Sequence, residues 1–136
     1  MPLYTPPPQV MTCIENASQT YHVPSSIVLA VMRQEGGRVG AVTTNKNGTY
    51  DIGPMQINSS HLSFFAKHGI SRDMLLNDPC VNVYAGTWMI ANGMAHSGDF
   101  WRGVGLYHSA TPVLNVSYQH SVWARYLSLM HKGYPK

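Results

Sequence analysis

The chain predicts a mainly α domain with one small β-hairpin, on three observations. Apolar residues recur at helical spacing over most of its length. Val23-Pro24-Ser25-Ser26 and Gly36-Gly37 have the chemistry of a helix start and a helix stop. Weak alternation is confined to residues 41 to 52, around Asn47-Gly48, a pair suited to a turn with positive φ.

In order, residues 9 to 20 predict a helix with Val10, Ile14 and Ala17 on one face. A second helix follows Pro24 and ends at Glu35, before the glycine pair. After the hairpin, helical patterns cover about 60 to 68, 72 to 77, 79 to 96, 99 to 107 and 112 to 132. We expect residues 1 to 136 to form one domain, with a flexible Pro-rich start at residues 1 to 8. There is no internal repeat.

Composition narrows the function classes. Apolar residues make up 44% and charged residues only 11%, which excludes a disordered or coiled-coil chain. The net charge of +3 leans towards anionic partners, but Lys and Arg stand singly and no nucleic-acid motif is present. An acidic cell-wall glycan fits the charge equally well. The longest apolar run, Ile27 to Met32, is too short to span a bilayer, and Met1-Pro2-Leu3 does not open a signal peptide. Cys13 and Cys80 read either as two buried thiols or as one disulfide closing a long loop, the latter stabilising by roughly 4 kcal/mol. Their spacing excludes a CxxC redox or zinc motif. His61 and His68 are seven apart without a third ligand, so no metal or other cofactor is expected. Trp88, Trp101 and Trp123 lie in helical patterns and are expected in the core.

One carboxylate stands out. Ile27, Val31 and Glu35 are four apart and share a helix stripe that is apolar until it reaches the acid. Glu35 also ends its helix, where the macrodipole disfavours negative charge. Burial and dipole both favour the protonated form, the state a general acid requires. The bland alternative is a solvated helix-end glutamate, and geometry alone leaves both open.

Four ordered blocks, "AVMRQEGG", "NGTYDIGPMQINSSHL", "DPCVNVYAGTWMI" and "GVGLYHSATP", resemble the soluble-type lytic transglycosylases of the lysozyme-like superfamily, glycoside hydrolase family 23. The likeness spans roughly residues 12 to 130 and is nearest to the small enzymes that accompany secretion systems, conjugation machines and pili. It implies a lysozyme-like α+β fold and a peptidoglycan lytic transglycosylase. By this resemblance Glu35 is the catalytic acid and base, and Tyr107 contacts and orients it. Gly53, Met55, Gln56 and Asn58 line the sugar cleft, joined by Tyr107 and His108, while Asn82 and Gly86 pack behind the site. Met55 would offer an apolar face to a sugar ring, and Gln56 and Asn58 would offer donors and acceptors. His108, Gly36 and Pro54 stand where many relatives have Asn, Ser and Leu.

The implied reaction cleaves the MurNAc-β-1,4-GlcNAc bond and closes a 1,6-anhydro ring, with the substrate's acetamido group replacing a protein nucleophile. Of six carboxylates, only Asp51 is placed to be a second member in a lysozyme-type hydrolase, the first alternative. The second alternative is a non-catalytic glycan-binding scaffold component. Expected partners are peptidoglycan strands and components of an envelope-spanning secretion, conjugation or pilus machine, with the protein itself a monomer. A wall substrate implies a periplasmic or otherwise extracytoplasmic location, a leader peptide absent from this sequence, and a Cys13–Cys80 disulfide.

Overall fold

The computed structural model describes residues 6–134. Seven α-helices run as α1 (Pro8–Tyr21), α2 (Ser25–Glu35), α3 (Leu62–Lys67), α4 (Arg72–Asn77), α5 (Pro79–Ser97), α6 (Phe100–Leu106) and α7 (Pro112–His131). Between α2 and α3 lie β1 (Val42–Thr44), β2 (Tyr50–Ile52), β3 (Ile57–Asn58) and a 3-10 turn at Ser59–His61. The mainly helical, lysozyme-like α+β class expected from the sequence is the class observed.

The helix boundaries follow from capping chemistry. Asp78 caps α5, its Oδ1 accepting from the backbone N–H of Cys80 and Val81 at 3.0 and 3.2 Å. Asp99 caps α6 through the Arg102 N–H at 2.8 Å, and Ser71 caps α4 through Met74 at 3.1 Å. These side chains satisfy N–H groups that the helix itself leaves open. Gly36 ends α2 at φ 69°, its N–H bonding Met32 O at 2.9 Å.

Helix α5 is the hub, packing against α1, α4 and α6, while α2 packs against α1 and α7. Its buried residues include Asn82, Val83, Ala85, Thr87, Ile90 and Gly93, on more than one face, as a central helix requires. The disulfide reading holds: Cys13 of α1 is bonded to Cys80 at the start of α5, with Cα atoms 5.3 Å apart.

Three details differ from the sequence expectation. The hairpin gains a third strand, because Ile57 and Asn58 pair antiparallel with Ile52 and Asp51. Of the Pro-rich start, residues 1–5 lie outside the described ones, whereas Pro8 already opens α1 and Pro6 is buried. Proline suits that first position because its missing N–H would have had no partner there. Trp123 is not in the core: it is 45% exposed, whereas Trp88 and Trp101 pack partly buried against it.

Candidate functional site: two recesses beside His108

Two backbone segments meet closely beside Glu35. A Cβ on Gly37 would collide with the Gly53 carbonyl and the Gln56 side chain, so only glycine lets the chain leaving α2 touch the Gly53–Gln56 turn. That turn is fixed from behind by Asn82, which is fully buried. Its Oδ1 accepts from Met55 N at 2.8 Å, and its Nδ2 donates to Ile52 O and Leu75 O at 2.9 and 3.0 Å. One amide thus satisfies three buried backbone groups, on β2, on the turn and on α4. Asn82 and Gly86 pack behind the turn, as expected from the resemblance.

Met55 is a correction. Its side chain is fully buried and rests over Gly86, where any Cβ would strike it. It belongs to the core and presents no face to a sugar. Gln56 stays partly exposed at φ 52°, and its Nε2 donates to Gly53 O at 3.0 Å. Gly53 is itself buried within the turn.

Glu35 is partly buried, and its carboxyl is pushed up to about 7 from an ordinary value of 4.5. Loss of water around the group is the main cause. A hydrogen bond from a tyrosine acts against it, favouring the charged form, and the nearby charge of Asp51 adds to the rise. That tyrosine corrects a second expectation. Tyr118, on α7, donates to Glu35 Oε2 at 2.5 Å, whereas the Tyr107 hydroxyl donates to Met55 O at 2.5 Å. Tyr107 therefore braces the turn, and Tyr118 orients the acid. Both phenols are raised, by burial first and then by the charge of Glu35. The sequence held one signal for Tyr118: with Asn115 and Val122 it lies on the inward stripe of α7, and all three are buried.

Asp51 sits opposite Asn58 in the β2–β3 register. Its two oxygens accept from Asn58 Nδ2 at 2.8 Å and Asn45 Nδ2 at 3.2 Å. Asn58 is accordingly turned towards the sheet, and its own Oδ1 accepts from Ser60 N at 3.0 Å at the start of the 3-10 turn. His108 stacks on Tyr118 at 5.1 Å between ring centroids, inclined 14°.

Two recesses flank His108. One, of about 240 Å³, is lined by Gln34, Glu35, His108, Ser117 and Tyr118 among others. The other, of about 680 Å³, is walled by Phe64, Trp88, Asn92, His96, Tyr107 and His108 among others. Phe64 and Trp88 stack within that wall at 4.9 Å and 21°. Chemically the combination offers a carboxyl that keeps its proton near neutrality, ring edges, amides and aromatic faces. A protonated carboxyl donates a hydrogen bond to an ether or carbonyl oxygen, which a carboxylate cannot. Among the described residues no cluster of three His, Cys, Asp or Glu side chains is placed to hold a metal ion.

Comparison with known proteins adds the family. Residues 12–118 match the transglycosylase SLT domain. The chain is 33% identical over 122 residues to the invasion protein IagB of Salmonella typhimurium, covering 86% of this chain and 76% of that one. It is 32% identical over 122 residues to protein IpgF of Shigella flexneri, covering 86% and 80% respectively. Over 98 residues it is 32% identical to the X polypeptide of Escherichia coli strain K12, covering 71% and 58%.

None of these relatives bears the name of an enzyme, and the first is named for invasion. That finding corrects the expectation of a lytic transglycosylase, and with it the lyase and glycosidase reactions drawn from the resemblance. A shared fold hosts different functions, so the fold does not carry the activity over. The comparisons favour the alternative of a glycan-binding scaffold component. On the match over residues 12–118 and the relatives it is similar to, the chain belongs to the SLT-domain family.

Proposed function

We propose that this protein is a peptidoglycan-binding component of an envelope-spanning secretion or invasion apparatus, held outside the cytoplasm. One observation carries the reading: His108 walls both the Glu35 recess and the aromatic cavity. A ligand longer than one ring can thus meet a protonated carboxyl at one end and the Phe64–Trp88 face at the other. Mostly apolar concave surfaces with a few placed polar groups are what extended ligands use. The +3 chain attracts the acidic groups of a glycan strand, in a salt-dependent way. The disulfide fits an oxidising compartment, and the likeness to an invasion protein suggests the apparatus.

The test is sedimentation of the protein with purified peptidoglycan sacculi, followed by mass spectrometry of the supernatant. Binding without soluble fragments is expected, and Trp88→Ala should reduce the bound fraction several-fold. Failure to sediment with sacculi overturns the reading. Release of muropeptides, with anhydro or reducing ends, also overturns it and makes Glu35 a proton donor in place of a hydrogen-bond donor.

A further inference from the structure

His108 reaches both recesses from a short connection, residues 107 to 111, between α6 and α7. A connection of this kind has few bonds of its own, so whatever holds it decides where the imidazole stands. It starts as one more turn on α6, the N–H groups of His108 and Ser109 both donating to Gly105 O at 3.0 and 3.1 Å. The residues on either side of His108 are then tied to different parts of the molecule. The Tyr107 hydroxyl donates to Met55 O on the Gly53–Gln56 turn. The Ser109 carbonyl accepts from Asn115 Nδ2, in the first turn of α7, at 3.0 Å.

Asn115 is 4% exposed, and both ends of its amide are bonded. Its Nδ2 donates to Arg102 O on α6 at 3.2 Å as well as to Ser109 O, and its Oδ1 accepts from Gln119 Nε2 at 2.7 Å. A carbonyl can only accept, so the Asn115 nitrogen must face the two carbonyls and its oxygen must face Gln119, which supplies the donor. Gly105 completes the fit. A Cβ there would lie 2.0 Å from Asn115 Oδ1, so glycine lets α6 approach this side chain. A buried position on a packed helix ordinarily holds an apolar residue; a buried amide loses its water and must be bonded in return. Here the bonds go to the backbone that carries His108.

Asn82 does the same for the Gly53–Gln56 turn. Two buried amides therefore fix two backbone segments, and the Tyr107 hydroxyl joins them. The segment held by Asn115 is the one that divides the recesses. The His108 ring lies over Tyr118, which follows Asn115 on the same buried stripe of α7. Releasing Ser109 frees the backbone at His108 to turn, and with it the ring between the two recesses.

We propose that Asn115 is a positioning residue for ligand binding: by fixing Ser109 it sets the place of His108, and so lets one glycan strand run through both recesses. This role rests on the site binding peptidoglycan, and it adds that the site discriminates by strand length. A sugar entering the second recess is already tethered to one in the first, which raises affinity above that of either alone.

The test titrates the unaltered chain, Asn115→Asp and Gln119→Glu with purified disaccharide and tetrasaccharide fragments of peptidoglycan. Asn115→Asp keeps the shape of the side chain and removes the donor to both carbonyls. Gln119→Glu, at a half-buried position, keeps Asn115 and removes the donor that its oxygen faces. The unaltered chain should prefer the tetrasaccharide by at least roughly tenfold, and each variant by less than about threefold. A general loss of stability weakens both ligands in proportion, so an unchanged ratio in a folded variant overturns the proposal. Proton NMR gives a second readout without ligand. The His108 ring protons lie over the Tyr118 ring and should shift in both variants; unmoved, they overturn it too. Circular dichroism reports folding, and if Asn115→Asp does not fold, Gln119→Glu decides. Sacculus binding by the unaltered chain with equal affinity for the two fragments overturns the role of Asn115 alone. An unaltered chain that binds neither sacculi nor fragments overturns the peptidoglycan reading with it.

Discussion

Glu35 and Asp51 are both carboxyls of one site, close enough for the charge of one to raise the other. Their surroundings differ in kind. Asp51 lies on a strand and accepts from two side-chain amides, Asn58 and Asn45. Glu35 ends a buried helix and has lost water, with the Tyr118 hydroxyl as its hydrogen-bond donor. The contrast teaches that a carboxyl's chemistry here is set by the element supporting it. A short sheet supplies donors; packed helices remove solvent. One group is held as an acceptor, and the other retains a proton to offer.

The comparison breaks most completely if the turn between the two groups loses its support. Asn82→Ala leaves the Met55 N–H and the Ile52 and Leu75 carbonyls without their buried partner. Each unsatisfied group costs about 1–3 kcal/mol, so we expect a loss of about 4 kcal/mol. An unfolding free energy from urea titration lowered by less than about 1 kcal/mol would remove Asn82 from this role.

Next comes the proton on Glu35. Its folded value of about 7 lies above the 4.5 of an unburied glutamate, so the folded state binds the proton more tightly. Its contribution to stability is complete below about pH 4.5 and is lost as pH rises through 7. The loss amounts to at most about 3 kcal/mol. Glu35→Gln has no such proton, and the slope should vanish; unfolding midpoints from pH 4 to 8 check this. A slope that persists in the variant belongs to another group.

A smaller effect separates the two tyrosines. Tyr118→Phe removes the bond that favours charged Glu35, so the carboxyl should titrate about a unit higher. Tyr107→Phe should leave that titration nearly in place, because its hydroxyl serves Met55 O. Carbon-13 spectra of the carboxyl distinguish the two, and equal shifts would contradict the assignment. The smallest change should come from Asp51→Asn. Removing a like charge lowers the Glu35 value, by less than the Tyr118 change raises it and less still in high salt.

Much of this was legible from the residues. The helix ends are local events: Asp78 and Asp99 act through side-chain bonds within three positions, and Gly36 through its own backbone N–H to Met32 O. The stripe Ile27, Val31, Glu35 did announce a carboxyl against the core. Other features were closed to local reading. Ile57 and Asn58 count as a strand only because β2 lies beside them. Met55 looked available to a ligand until the space over Gly86, thirty-one residues away, was seen to hold it. Tyr107 and Tyr118 are chemically identical, and their stacked rings lie 6.4 Å apart.

By itself the sequence determined the helices, their caps, the hairpin and the family, because periodicity and capping act over a turn or two of chain. Only the tertiary structure decided which tyrosine holds the acid and which side chains line the recesses beside His108. Those outcomes depend on which elements pack together across as many as 83 residues, and the apolar pattern that drives packing does not encode individual hydrogen-bond partners.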